Sequence, residues 1–311
     1  MIFNSTIIRK TSIKIPEWTI ATTANIKPSL IAYGDGMFVA IGRRTGFGTA
    51  TYIAGYSTDG ITWTTVTLPV TGEWTHLVYG NGMFVAVDGE TDLKLVYSTD
   101  RGATWNQGTY PNGSYSTDLF GYGGGKFIMG GISSNETYSS ADCITWTRGG
   151  GPSIFMRRLA YGNGMFVGMD YSAKTKFGYS YDGKSWNTGT MPEFTCGPIA
   201  YGDGMFVAIG DGRGAEALYS ADGITWNETS IPINLRPPGS NYPISFKQIA
   251  YGSGKFVTLG YNSDKVIYSF DRIVLLAHKL PDVGNWKSIA YGNGRFVAVD
   301  GTTTVIYGQE A

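Results

Sequence analysis

Apolar positions come in short runs closed by polar, glycine-rich turns. Ile31-Ala32-Tyr33 leads into Gly34-Asp35-Gly36, and Met37-Phe38-Val39-Ala40 returns. This is a hairpin: a strand ends at tyrosine, a tight turn reverses it, and a second apolar strand follows. No 3.6-residue period interrupts the pattern, which predicts an all-β chain of antiparallel strands. The unit Tyr-Gly-x-Gly-x-Phe recurs seven times, from Tyr33, Tyr79, Tyr122, Tyr161, Tyr201, Tyr251 and Tyr291. Copies roughly 40–50 residues apart match the length of a four-stranded propeller blade.

A second hairpin follows each of the first six. It reads Tyr56-Ser57-Thr58-Asp59-Gly60-Ile61-Thr62-Trp63 and returns around Asp100, Asp142, Asp182 and Asp222, with tryptophan at Trp105, Trp146, Trp186 and Trp226. A sixth copy at Asp271 keeps Ser269 and loses the glycine, threonine and tryptophan. An Asp carboxylate here accepts turn N–H groups, and the tryptophan fills space between sheets.

The seventh repeat ends four residues after Tyr307, with no room for a tryptophan strand. Trp18 stands 15 residues before Tyr33, the interval that separates Trp146 from Tyr161 and Trp186 from Tyr201. Residues 15–20 are therefore expected to complete the last blade and close a seven-bladed ring. Six blades would follow only if the third or sixth copy were vestigial, and the repeat lengths favour seven. The expected organisation is one propeller over 15–311 with an apolar N-terminal arm over 1–14, which either docks onto a partner chain or adds an edge strand. Within each blade, the turns carrying the two motifs share one face. The connections of variable length share the other, where binding sites concentrate.

Composition narrows the function classes. With 24 acidic and 24 basic residues the chain is neutral, so the totals offer no basic face for nucleic acid. No apolar run approaches the ~20 residues of a membrane span. The first residues lack the pattern of a signal peptide. Cys143 and Cys196 make neither a disulfide framework nor a zinc site, and His76 and His278 are too few for a metal cage. No cofactor or metal is expected.

The Ser-x-Asp-x-Gly-x-Thr-Trp segments, complete from Ser98 to Trp105 and one residue shorter elsewhere, resemble the Asp box (BNR repeat) of sialidase-like propellers. Combined with Tyr-Gly-Asn-Gly, the unit is similar to propellers encoded by tailed bacteriophages, over about Ser29 to Gly308. The resemblance implies the propeller fold. For function it spans glycosidases, lectins, assembly factors and virion proteins. A sialidase would need three arginines on the substrate carboxylate, and none of the arginines here has the Arg-Ile-Pro context; Arg236-Pro237-Pro238 comes nearest.

Turn capping is the reading for the Asp-box acids Asp59, Asp100, Asp142, Asp182, Asp222 and Asp271. Asp88, Asp170, Asp211 and Asp300, just past second strands, read as solvated strand-end acids. The variable loops supply Arg43, Arg44, Trp74, Tyr110, Arg157, Arg158, Arg213, Arg236 and Tyr242 as candidate ligand contacts. Aromatic faces stack on sugar rings, and arginine offers forked donors. The expected function is a non-enzymatic, tail-associated virion module that binds bacterial surface glycan or a receptor. It would be made in the host cytoplasm and would contact other virion proteins through residues 1–14. The alternatives are a structural protein–protein module (a virion decoration or assembly factor) and a glycoside hydrolase.

Overall fold

The computed structural model describes residues 15–44, 51–89, 93–111, 117–131, 136–210, 216–231, 244–269 and 275–309. Seven sheets of antiparallel strands stand in a ring; in six of them the strands neighbour one another in chain order, and in the seventh the first strand of the chain lies beside the last. The first blade sets the plan: Ile26–Gly34, Met37–Arg44, Tyr52–Ser57 and Thr64–Thr67 lie side by side. First strands of successive blades touch all the way round, from Ile26–Gly34 to Ser288–Gly292 and back, so they form the inner wall. In the sixth blade the second and third strands run together as Lys255–Ser269. Its first part pairs with Ser245–Gly252 and its last with Leu275–Asn285. Asp271 lies outside the described residues, as do residues 1–14.

The ring closes as the tryptophan interval predicts. Glu17–Thr22 pairs antiparallel with Thr304–Gln309, Trp18 opposite Gly308, and forms the outer strand of the seventh blade. The Trp18 indole N–H donates to the Tyr268 hydroxyl in the sixth blade.

The Tyr-Gly pair of the first motif is what joins blades. A Cβ on Gly34 would lie 2.0 Å from the Tyr79 ring, because that ring sits directly on the glycine. The same contact recurs round the ring, Gly162 beneath Tyr201 and finally Gly292 beneath Tyr33. Each tyrosine also packs on the phenylalanine opposite it in its own blade, with ring centroids 4.6–4.9 Å apart. Those seven phenylalanines are buried between sheets, each worth about 1.5–3 kcal/mol of apolar burial. The second glycine of the motif has a different task. Gly164 has nothing within 4 Å of a built Cβ, but its φ of +74°, after Asn163 at +52°, belongs to the tight turn that matches strand twist.

The Asp boxes cap their turns. In the fourth blade Ser180 donates to Asp182, whose Oδ1 accepts the N–H groups of Lys184 and Ser185 at 2.8 and 2.7 Å; Gly183 N–H donates to Ser180. The same pattern holds at Asp59, Asp142 and Asp222, and with one more residue at Asp100. Cys143 takes the place of the box glycine at a left-handed φ of 58°. Both sets of repeated turns occupy one face and bind each other across blades. Asn81, Asn163 and Asn293 donate to Ala141, Ala221 and Thr58 carbonyls of the following blade, and Arg101 pairs with Asp35.

Asp88, Asp170 and Asp300 correct one expectation. They are buried, not solvated, because each accepts loop N–H groups at the opposite face: Glu73 on Asp88, Ser172 on Asp170 and Thr302 on Asp300. Asp211 lies outside the described residues.

Candidate functional site

The face of variable connections opens into the central channel, a cavity of about 980 Å³ at whose wall all seven blades are represented. Its mouth is built where first strands begin. Four of those strands carry a β-bulge at this level, between Pro28 and Leu30, Thr117 and Leu119, Met156 and Arg158, and Phe246 and Ile249. A regular strand sends alternate side chains to opposite faces, and a bulge breaks that alternation. On the bulged strands consecutive residues border the channel, Arg157 with Arg158 and Lys247 with Gln248, as His76 and Leu77 also do on the regular strand His76–Gly80.

Three of the predicted arginines, Arg43, Arg157 and Arg158, meet at this mouth. Arg43 donates to the Tyr52 hydroxyl (3.2 Å) and to Glu73 (3.4 Å), and Tyr52 donates to Glu73 at 2.5 Å. The hydrogen bond to the Tyr52 hydroxyl, and then the Glu73 carboxylate, hold the Arg43 pKa above its ordinary value. Arg157 is clamped between Asp118, at 2.8 Å, and the face of Tyr171, 4.4 Å from the ring centroid. Tyr171 itself is well exposed. Arg158 has no carboxylate partner among the described residues, and its Nε is buried without an acceptor.

Trp74 borders the channel but is buried in the core between the first two blades, only 5% exposed. Tyr110 is half-buried against the third blade, bonded to the Thr117 hydroxyl, and does not border the channel. Arg44 ends its strand and its side chain lies outside the described residues, as do Arg213, Arg236 and Tyr242 entirely.

Residue-type reasoning on the loops passed over Lys27, Lys247 and Lys287, which also border the mouth. Lys247 lies over the Tyr261 ring at 5.4 Å. A usable signal was in the repeats. The residue four places before each motif tyrosine is Ser29, Thr75, Asp118, Arg157, Gly197, Lys247 and Lys287. Five members of that column, Ser29, Thr75, Arg157, Lys247 and Lys287, border the cavity, and three of the five are basic.

His76 completes the mouth in its neutral form. Burial, then the charges of Arg158 and Arg157, push its pKa down to about 4. Its Nδ1 is 2.9 Å from the Thr75 hydroxyl. Deeper, the wall turns apolar with Leu77, Leu159 and Ile249. Gln248 accepts from Ser288, which in turn accepts the Ile31 N–H, tying blades six, seven and one. Glu73 is the one carboxylate among the described residues that border the cavity. Among the described residues no three His, Cys, Asp or Glu side chains gather as a cation site would need.

No family model matches the chain, and no curated protein is significantly similar in sequence. Solved structures are similar in shape. Virginiamycin B lyase from Staphylococcus aureus superposes with a TM-score of 0.77 over 95% of this chain and 100% of its own, at 11% identity. YCF48 bound to D1 peptide gives 0.68 over 98% and 100%, at 14%. The Cps50 (Swd1) β-propeller domain from Myceliophteria thermophila gives 0.64 over 96% and 99%, at 8%. A lyase, a peptide-bound protein and a Swd1 propeller domain thus share this architecture, and at such identities the likeness establishes one thing: the chain is a seven-bladed β-propeller.

Proposed function

We propose that the chain is a non-enzymatic recognition propeller, a tail-associated component of a bacteriophage virion that holds bacterial surface glycan at the channel mouth. The observation that carries the reading is the division of labour between faces. The repeated face spends its polar groups on bonds between blades. The opposite face opens a cavity of ligand size, bordered by arginines, lysines and Tyr261. Glycosidic cleavage ordinarily uses two carboxylates, ~5–5.5 or ~6.5–9.5 Å apart, whereas Glu73 is the one carboxylate at the described wall and is engaged with Arg43 and Tyr52. The virion assignment rests on the repeat style of the sequence.

The test is binding of purified protein to a panel of bacterial surface polysaccharides, with released sugar followed in the same wells. Saturable binding without product, weakened by Arg43→Ala and Arg158→Ala, is expected. Product release would overturn the non-enzymatic assignment. No binding across the panel would overturn glycan recognition in favour of a structural role.

A further inference from the structure

We propose that the mouth selects an acidic polysaccharide, a sugar chain bearing carboxylate or phosphate groups, held by Arg158, Lys27, Lys247 and Lys287. The inference rests on the glycan-recognition reading and narrows it to one chemical class.

The chain is neutral overall, yet its channel mouth is not. Lys27, Arg43, Arg157, Arg158, Lys247 and Lys287 border the cavity, against Glu73 as the one bordering carboxylate among the described residues. Two of these cations are already matched, Arg43 by Glu73 and Arg157 by Asp118. Arg158, Lys27 and Lys287 have no carboxylate partner among the described residues. Like charges gathered in a cleft with low-dielectric walls focus a positive potential into it and raise the local concentration of anions.

Hydrogen-bond inventory leads to the same class. Lysine and arginine only donate. Glu73, the one described carboxylate at the wall, is already engaged with Arg43 and Tyr52, and the acceptors that remain, such as Ser29, Gln248 and Ser288, are uncharged. A chain that carries anionic oxygens offers the cations charge-assisted partners that neutral hydroxyls do not. The buried, acceptor-less Nε of Arg158 is the point where that need is greatest. The bulge at Arg157 brings two adjacent guanidinium groups to one wall, and Lys27 and Lys287 stand exposed on neighbouring blades. This spread suits successive acid groups along a single chain.

The experiment is calorimetric titration of the intact protein with four probes: alginate, poly(glycerol phosphate), neutral dextran and single-stranded oligothymidylate. The bacterial polysaccharide panel is run beside them, sorted by whether each polymer carries acid groups. The expected result is saturable, salt-sensitive binding to acidic saccharides, with no heat from dextran. Alginate against poly(glycerol phosphate) identifies the acid group. Lys27→Gln and Lys287→Gln lie at exposed positions that the fold does not need, and each should weaken binding roughly 10-fold. Arg158→Gln should weaken it more, with circular dichroism checking that the ring stays folded. Equal binding of dextran, unchanged in the lysine variants, would overturn the acidic class while leaving glycan recognition intact. Oligothymidylate binding as tightly as the acidic saccharides would overturn saccharide selection. Silence from every probe and every panel member would overturn the recognition reading as well.

Discussion

Two glycines of one motif, two residues apart, fail in different ways when given a methyl group. At Gly162 a Cβ would meet the Tyr201 ring at 2.0 Å, and that ring is held by its own blade, so the blades must separate to admit it. Gly162→Ala is expected to cost about 3 kcal/mol or more as overpacking at a rigid contact. At Gly164 there is open space, and only the left-handed backbone resists, so Gly164→Ala should cost ~1–2 kcal/mol. Urea unfolding of the two variants measures the difference, and equal costs would contradict the role assigned to the Tyr-Gly contact. Acid sensitivity also belongs at this scale. His76 has a folded pKa near 4 against an ordinary 6.5, so its stabilising contribution is complete above pH 6.5 and is lost as pH falls toward 4. The Asp boxes act lower. The N–H groups of Ser185 and Lys184 hold Asp182 at about 2, and at Asp222 burial pushes upward but the N–H groups of Thr225 and Ile224 prevail, again near 2. Stability held by these carboxylates is complete above their ordinary 3.8 and lost as pH falls through 2. Melting temperature against pH should therefore decline in two stages, and His76→Gln should flatten only the upper one.

At the scale of strands, repetition made the fold legible. Seven copies of one hairpin fixed the blade count, and the tryptophan interval placed Glu17–Thr22 in the last blade even though the chain ends are about 290 residues apart. The bulges were not legible, because nothing in Arg157-Arg158 or Lys247-Gln248 marks an extra residue until the partner strand is in place. Arg43, Arg157 and Arg158 were picked out by residue type although they too lie on strands; Lys27 and Lys247 on first strands, and Lys287 immediately before one, carried no such mark. Burial of Asp88, Asp170 and Asp300 was hidden for a related reason, since the loop N–H groups that they accept become neighbours only once the blade is formed. The closing strand supplies its own prediction. Removing residues 1–22 would leave Thr304–Gln309 as an unpaired edge, an invitation to pair with another chain. A lower melting temperature is expected, together with concentration-dependent association seen by light scattering. A truncated protein that stays monomeric and equally stable would show that the closure is dispensable.

At the scale of the whole molecule, the face of repeated turns is bonded blade to blade and the opposite face opens into the channel. The joint between first and last residues also sets an order of events. The strand Glu17–Thr22 is among the first parts of the ring to be synthesised, yet its partner Thr304–Gln309 is nearly the last. At roughly 5–20 residues per second on the ribosome, it waits about 15–60 s for that partner. During this interval six blades can assemble, but the circle stays open like an unclasped bracelet, and a neighbouring nascent chain offers the same clasp.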